Sequence, residues 1–362
     1  MNSRQRVLAA LRRQPADRVP IFMWFHPDTA TRLAARLEIP RSALGEAMGN
    51  DILQTWVNNN YAMEGIVHAR DGESHWDDWG IQWTRNFSFN QISHFPLAGA
   101  SRDEVLAYEF PNAEIRESLL HLMDPVAADA DRFFVGCDVS PCVFEMYWRL
   151  RGMEDAMLDI AADPELTGEM FRRCADFSID LGIQACRRFP LDWFWTGDDI
   201  AGQTCMMMSP ASWRRFVKPH LARVFDIGRQ HNLPVAYHCC GALRPIIGDL
   251  IEIGMDVLNP VQSTCPGMDP VELKREFGSS LTFMGGVDTQ YLLPNGSALE
   301  VRRETEKLLE AMTAGGGGYI LAASHTISPE TPEANIFAMY EAAGVTREQI
   351  SDRAAALRAR SL

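Results

Sequence analysis

A histidine and a cysteine two residues apart, His238 and Cys240, close the apolar run 234–240 and are followed at once by Gly241. On a β-strand, alternation sends positions i and i+2 to one face, so imidazole and thiol stand side by side. These two groups are preferred donors of a borderline-soft cation, zinc above all. A second apolar run, 318–323, leads into His325, a third donor if both strands belong to one barrel. Three protein ligands and an open fourth position are the arrangement of a catalytic metal rather than a structural one. A lone His-x-Cys is more often a packed or hydrogen-bonded pair. The matching place of His325 and the turning freedom of Gly241 weigh toward ligation.

Such ligands need strands to hold them. Short apolar or β-branched runs at 19–25, 52–57, 133–139, 193–196, 234–240, 257–261, 281–287 and 319–323 alternate with longer helical patterns. Strand and helix in repeated alternation predict an α/β chain with a parallel sheet, closed as a (β/α)8 TIM barrel and spanning 1–362 as one domain. Asp163-Pro164, Ser209-Pro210 and Thr331-Pro332 each set a capping residue before a proline suited to a first helical turn. Ionisable and amide residues gather at the carboxyl ends of the runs: His26, Asp138, Asp198, Asp199, His238, Asn259, Gln262, Asp288 and His325. Barrel active sites are built on that rim. Any one of these is equally explained as a strand end meeting solvent; the collection argues for a site.

The stretch from about 71 to 124 breaks the alternation. Trp76, Trp79 and Trp83, set around Asp77-Asp78 and Gly80, predict a hairpin inserted after the second strand. The tryptophans serve as its small core or, alternatively, as a lid or homodimer surface. The run Gly315-Gly316-Gly317-Gly318 reads as a flexible turn on the opposite rim.

The formal net charge of −14 argues against nucleic acid, which needs clustered Lys and Arg. No run of about 18 apolar residues is present, so no membrane span is expected. The polar, then amphipathic start Met1-Asn2-Ser3-Arg4-Gln5-Arg6-Val7-Leu8 lacks a signal-peptide core. Eight cysteines without paired spacing point to reduced thiols and a cytoplasmic location.

Several segments together resemble the uroporphyrinogen decarboxylase superfamily, and within it the branch of zinc-dependent corrinoid methyltransferases and their uncharacterised relatives. They are Arg4-Gln5-Arg6-Val7-Leu8-Ala9-Ala10-Leu11, Asp17-Arg18-Val19-Pro20, Leu150-Arg151-Gly152-Met153-Glu154, Gly197-Asp198-Asp199 with Gln203, Ser209-Pro210 with Trp213, the stretch from His238 through Asp249 to Gln262, Gly285-Gly286-Val287-Asp288, and Ser328-Pro329-Glu330-Thr331-Pro332. The decarboxylases open their first strand into a Met-Arg-Gln-Ala-Gly-Arg run whose arginines hold substrate carboxylates. Here Met23-Trp24-Phe25-His26-Pro27-Asp28 stands in that place, and Arg32 and Arg36 follow one helical turn apart on an expected solvated face. A polyanionic porphyrinogen is poorly served by such a corner.

The methyltransferase branch holds zinc with His-x-Cys and a distant Cys, and the metal binds a thiol substrate as thiolate. His238 and Cys240 match the first two ligands, while the third falls on His325 when aligned on Ile327-Ser328-Pro329-Glu330-Thr331-Pro332. One thiolate and two imidazoles leave about +1 on the site by simple counting, which favours an oxygen or thiolate anion. The resemblance therefore implies a zinc-dependent methyltransferase or demethylase of a small O-methylated compound, aromatic ones included, or of a thiol compound. Methyl would pass to or from a corrinoid partner. The chain lacks the Asp-x-His-x-x-Gly run of a cobalamin module, so cobalamin is placed on that partner.

In this reading Asp198 or Asp199 is a general acid or fourth ligand, against a helix-capping role, and His26, Asp138, Asn259, Gln262 and Asp288 contact substrate. Two alternatives stand beside it. One is a metal-independent decarboxylase or lyase of a small carboxylic acid, using Asp138 or Asp199 to stabilise charge. The other is a non-catalytic barrel that presents its mouth to a corrinoid protein.

Overall fold

β-branched and aromatic runs bounded by turns become strands wherever neighbours can pair with them. A computed structural model describes residues 1–58 and 68–360. Its strands are β1 (Ile52–Trp56), β2 (Ser74–Trp76), β3 (Gln82–Asn86), β4 (Phe89–His94), β5 (Phe134–Asp138), β6 (Trp193–Gly197), β7 (Val235–His238), β8 (Val257–Val261), β9 (Thr282–Val287) and β10 (Tyr319–Ala323). Seven of them form a curled parallel sheet in the order β1-β5-β6-β7-β8-β9-β10, with helices between successive strands. The architecture is α/β and TIM-barrel-like.

The expected first strand, 19–25, is the exception. It touches β10 and the segment after it through two isolated parallel bridges, Ile21 with Leu321 and Phe25 with Ile327. Three residues on one side, 22–24, thus face five on the other, 322–326, so regular pairing with 19–25 fails, while Ala322 and Ala323 stay paired with β9. Toward β1, the one backbone hydrogen bond among the described residues runs from Asp51 N to Ile21 O, at 2.8 Å.

Alternation divides the apolar residues into two cores. Phe22, Ile52, Phe134, Trp193, Trp195, Ala236, Val257, Met284, Ile320 and Ala322 fill the space inside the curled sheet, and Val7 and Ala10 of the helix Ser3–Leu11 join them. The opposite strand faces, with Val135, Phe194, Tyr237, Cys239 and Leu258, pack under the helices in a larger cluster. Two of the three expected caps are present: Asp163 accepts from Leu166 N, and Ser209 from Ser212 N. Thr331 is not one, because the helix Glu333–Ala342 starts after Pro332 with no side-chain cap.

The amino ends of the strands are closed by carboxylates, those of Asp51 and Asp192 buried. Asp51, before β1, accepts from Ile21 N; Asp192, before β6, accepts from Val135 N; Asp256, before β8, accepts from Val235 N. Asp51 also meets Arg6 and Arg18, each at 2.6 Å, and Asp192 meets Arg4 at 2.7 Å. The glycine run packs on this rim: a Cβ at Gly317 would sit 2.7 Å from Gln14 O.

After β1 comes a three-stranded antiparallel sheet, β2-β3-β4, instead of a single hairpin. Trp79 and Trp83 are its buried core, with Trp83 Nε1 donating to Asp77 and Trp79 packing on Phe177 of the helix Pro164–Arg188. Trp76 is 56% exposed and plays no part in that core. No helix among the described residues is long and apolar enough to cross a membrane. All eight cysteines are free thiols.

Candidate metal centre

His238 ends β7, and its imidazole is set by the next strand. The register places His238 beside Asn259 of β8, and His238 Nδ1 lies 2.7 Å from Asn259 Oδ1. An amide oxygen can only accept, so Nδ1 carries the proton and Nε2 keeps its lone pair for the mouth. Cys240 Sγ lies 3.5 Å from that Nε2. Gly197, on β6 beside His238, leaves room for this arrangement: a Cβ there would stand 3.0 Å from His238 Cβ and 2.7 Å from Ser140 Oγ.

The turn after Cys240 also depends on a glycine. Gly241 has φ +90°, and a Cβ there would press to 2.4 Å from Gly202 O. Its N–H donates to Gln262 Oε1, and Ala242 N donates to Gly202 O. The ligand loop is thereby pinned to the loop that follows Asp199.

His325 arrives on the bulged segment 322–326. Arg32 fixes the far side of that segment through the carbonyls of Pro329 and Thr331, and both Arg32 and Arg36 reach Glu333, at 3.4 and 2.7 Å. Both arginines lie on the exposed helix face, as expected, and pair there with Glu333. The His325 ring centroid lies 6.3 Å from that of His238. One donor atom from each of His238, Cys240 and His325 falls within 4.8 Å of the others.

The donor set fits zinc. Bonds of about 2.0–2.3 Å in a tetrahedron require donor separations of roughly 3.3–3.6 Å, and the Cys240–His238 pair already stands at 3.5 Å. Burial, together with the neighbouring His238, lowers the His325 pKa and keeps that imidazole neutral. Burial pushes the Cys240 thiol well up, so a nearby cation is what would hold it as thiolate.

Asp199 and Asp198 part company. Asp199 Oδ1 accepts from Cys240 N at 2.8 Å and lies 3.9 Å from His238 Nε2. Its own N–H donates to Glu145, a buried residue that sequence patterning does not single out. Asp198 faces the helix layer. Its carboxylate accepts from the N–H groups of Val143, Phe144 and Glu145 at the start of the helix Phe144–Arg151. Burial raises its pKa to about 7. It therefore caps a helix, though not the one that follows it in sequence.

The other expected contacts divide similarly. Asp138 ends β5 on the inward face, in register with Trp56 and Trp195, and accepts from Ser140 N. Asn259 acts on His238. Gln262 Oε1 accepts from Gly241 N and Gln203 Nε2, and Asp288 caps its own turn through Gln290, Tyr291 and Leu292 N–H. His26 accepts from Asp28 N through Nδ1, donates from Nε2 to Ser88 O and meets Phe89 edge to face. It ties the inserted sheet to the barrel, and burial lowers its pKa.

This geometry has relatives. An archaeal methyltransferase from Methanosarcina mazei shares the fold, with a TM-score of 0.70, 19% identity and coverage of 95% of this chain and 98% of that one. A uroporphyrinogen decarboxylase of Thermus thermophilus is 35% identical over 130 residues, 36% of this chain and 35% of the relative. The methylcobamide:CoM methyltransferase MtaA of Methanosarcina barkeri is 25% identical over 177 residues, 48% of each protein. The chain thus spans from about a third to about half the length of these curated relatives. The uroporphyrinogen decarboxylase (URO-D) family model matches residues 134–345, which includes β5 to β10 and all three donors. More than half of the sequence is covered by that match, and the chain belongs to the URO-D family.

Proposed function

We propose that this barrel is a zinc-dependent methyltransferase or demethylase acting on a small O-methylated or thiol compound, with a cobalamin-bearing corrinoid protein as the second reactant. The observation that carries the reading is the convergence of His238, Cys240 and His325 donors within 4.8 Å at the carboxyl rim. When bound there, zinc would supply Lewis acidity toward a methoxy oxygen or a thiol sulfur. The chain's own residues do the rest. Asn259 holds His238 in the tautomer that faces the mouth. Glu145 and the Cys240 N–H fix both ends of Asp199, and Asp199 is the carboxyl placed to exchange a proton with the substrate. The likeness to both methyltransferases supports this class of reaction.

Decarboxylation of a porphyrinogen is the reading that the Thermus relative favours. Two facts count against it. The first segment carries no arginine between Met23 and Asp28, and Arg32 and Arg36 lie on an exposed helix face, paired with Glu333. The deciding experiment is elemental analysis of purified protein. Wild type is expected to carry about one zinc per chain, with His238→Ala, Cys240→Ala and His325→Ala each losing most of it. Metal-free wild type that keeps its activity after chelation would overturn the proposal.

A further inference from the structure

Because the segment 19–25 pairs so sparsely with β1, the wall of the barrel opens between them. The opening is a cavity of about 590 Å³, well within the range of about 300–1,000 Å³ in which small-molecule sites fall. Phe22, Trp24, Phe25 and Trp56 line it, together with Asn50 and Gln54. The cavity adjoins the metal centre on two sides. The Trp24 ring lies 5.7 Å from the His238 imidazole, and Thr326, another lining residue, directly follows His325.

The lining selects a ligand. Four aromatic side chains favour a flat ring, and the Trp24 and Trp56 centroids stand 5.6 Å apart at 41°, presenting tilted faces rather than a closed stack. Among the described residues no carboxylate lines the cavity, so none of them offers an ammonium or sulfonium group a counter-ion there. Among the described lining residues the one charged side chain is that of the exposed Arg41. A single guanidinium suits one carboxylate and not a polyanion. We propose that the cavity between residues 19–25 and β1 is the substrate subsite and takes a methoxylated aromatic carboxylic acid. The ring lies against Trp24 and Trp56, the carboxylate points to Arg41, and a methoxy group points to the His238–His325 side.

This inference rests on the methyl-transfer reading for its orientation, but binding tests it independently of turnover. The full chain, supplied with zinc, is titrated by calorimetry and tryptophan fluorescence with 3,4-dimethoxybenzoate, 1,2-dimethoxybenzene and cyclohexanecarboxylate. Both arenes are expected to bind and the alicyclic acid to fail. Trp56→Leu should weaken both arenes about ten-fold, with Trp56→Phe restoring most of the affinity. Arg41→Gln should weaken the benzoate by a similar factor and leave dimethoxybenzene unchanged. Absence of saturable arene binding, equal binding by wild type and Trp56→Leu, or equal loss of both arenes in Arg41→Gln would overturn the subsite. Zinc content measured in the same samples separates the two readings. Zinc-free protein that binds the arene through Trp56 would sink the metal chemistry and keep the pocket, whereas zinc-loaded protein that binds neither arene would sink the pocket alone.

Discussion

The two rims of this barrel carry the same residue types to opposite ends. At the amino rim Asp51, Asp192 and Asp256 each accept a strand N–H, and two of them are paired with arginines besides. At the carboxyl rim the His238, Cys240 and His325 donors face one another with no cation among the side chains that contact them. Charge is neutralised locally at one end and left for an incoming ion at the other. Stability and chemistry are thereby assigned to different loops, a division that the barrel fold permits.

The sharpest way to break this contrast is to cut one residue at each rim. Asp51→Ala removes the partner of two arginines, one of them with a side chain only 9% exposed, and strands the Ile21 N–H. A loss of about 3–5 kcal/mol is expected, as for other broken buried pairs. His325→Ala, measured without metal, should cost less than about 1 kcal/mol, since it removes no ion pair. Urea unfolding in chelator compares the two directly. Equal destabilisation would show that the mouth is as structural as the base.

A finer cut lies within the mouth. Asn259 is a positioning residue, and Asn259→Ala should weaken zinc about 10–100-fold, the range seen when partners behind a ligating histidine are lost. Asn259→Asp keeps an acceptor for Nδ1–H and should restore most of that affinity. Chelator competition reads both. Unchanged affinity in Asn259→Ala would mean that the 2.7 Å contact does not orient His238.

Much of this site was legible in the residues themselves. Donor type and strand alternation mark His238 and Cys240, whereas His325 is marked by donor type and its place after β10: alternation from the inward Ile320 and Ala322 would turn it outward, and the surplus residues across from 19–25 bring it to the mouth. The same rule separates Asp198 from Asp199, since neighbouring residues cannot both face the mouth; treating them as interchangeable ignored it. Asn259, Gln262 and His26 are legible as rim residues, but their protein partners, His238, Gly241 and Ser88, depend on strand register and on the inserted sheet, which local pattern does not reveal. Inward alternation also marks Trp24, Trp56 and Trp195 as residues facing the inside of the sheet. The irregularity of 19–25 was hidden as well, because its cause lies in the two surplus residues across from it, near His325.

The smallest effect belongs to the amino rim and tests whether its pairing is electrostatic. Asp17 accepts hydrogen bonds from Arg6 Nε at 2.8 Å and from Arg18 N, and the Arg6 guanidinium holds its carboxyl well below the usual carboxylate range. A carboxyl depressed in the folded state stabilises the protein above its unfolded pKa, near 3.9, and loses that contribution as pH falls toward the folded value. Its side chain is 44% exposed, so solvent screening limits the contribution to less than about 1 kcal/mol. Asp17→Asn should therefore be slightly less stable than wild type at pH 7, by a margin that is constant down to about pH 5 and shrinks below about pH 4. Urea midpoints at pH 7, 5 and 3 measure it. A gap that persists undiminished at pH 3 would assign the loss to packing and geometry, and the amino rim would then differ from the mouth by shape alone and not by where its charge is neutralised.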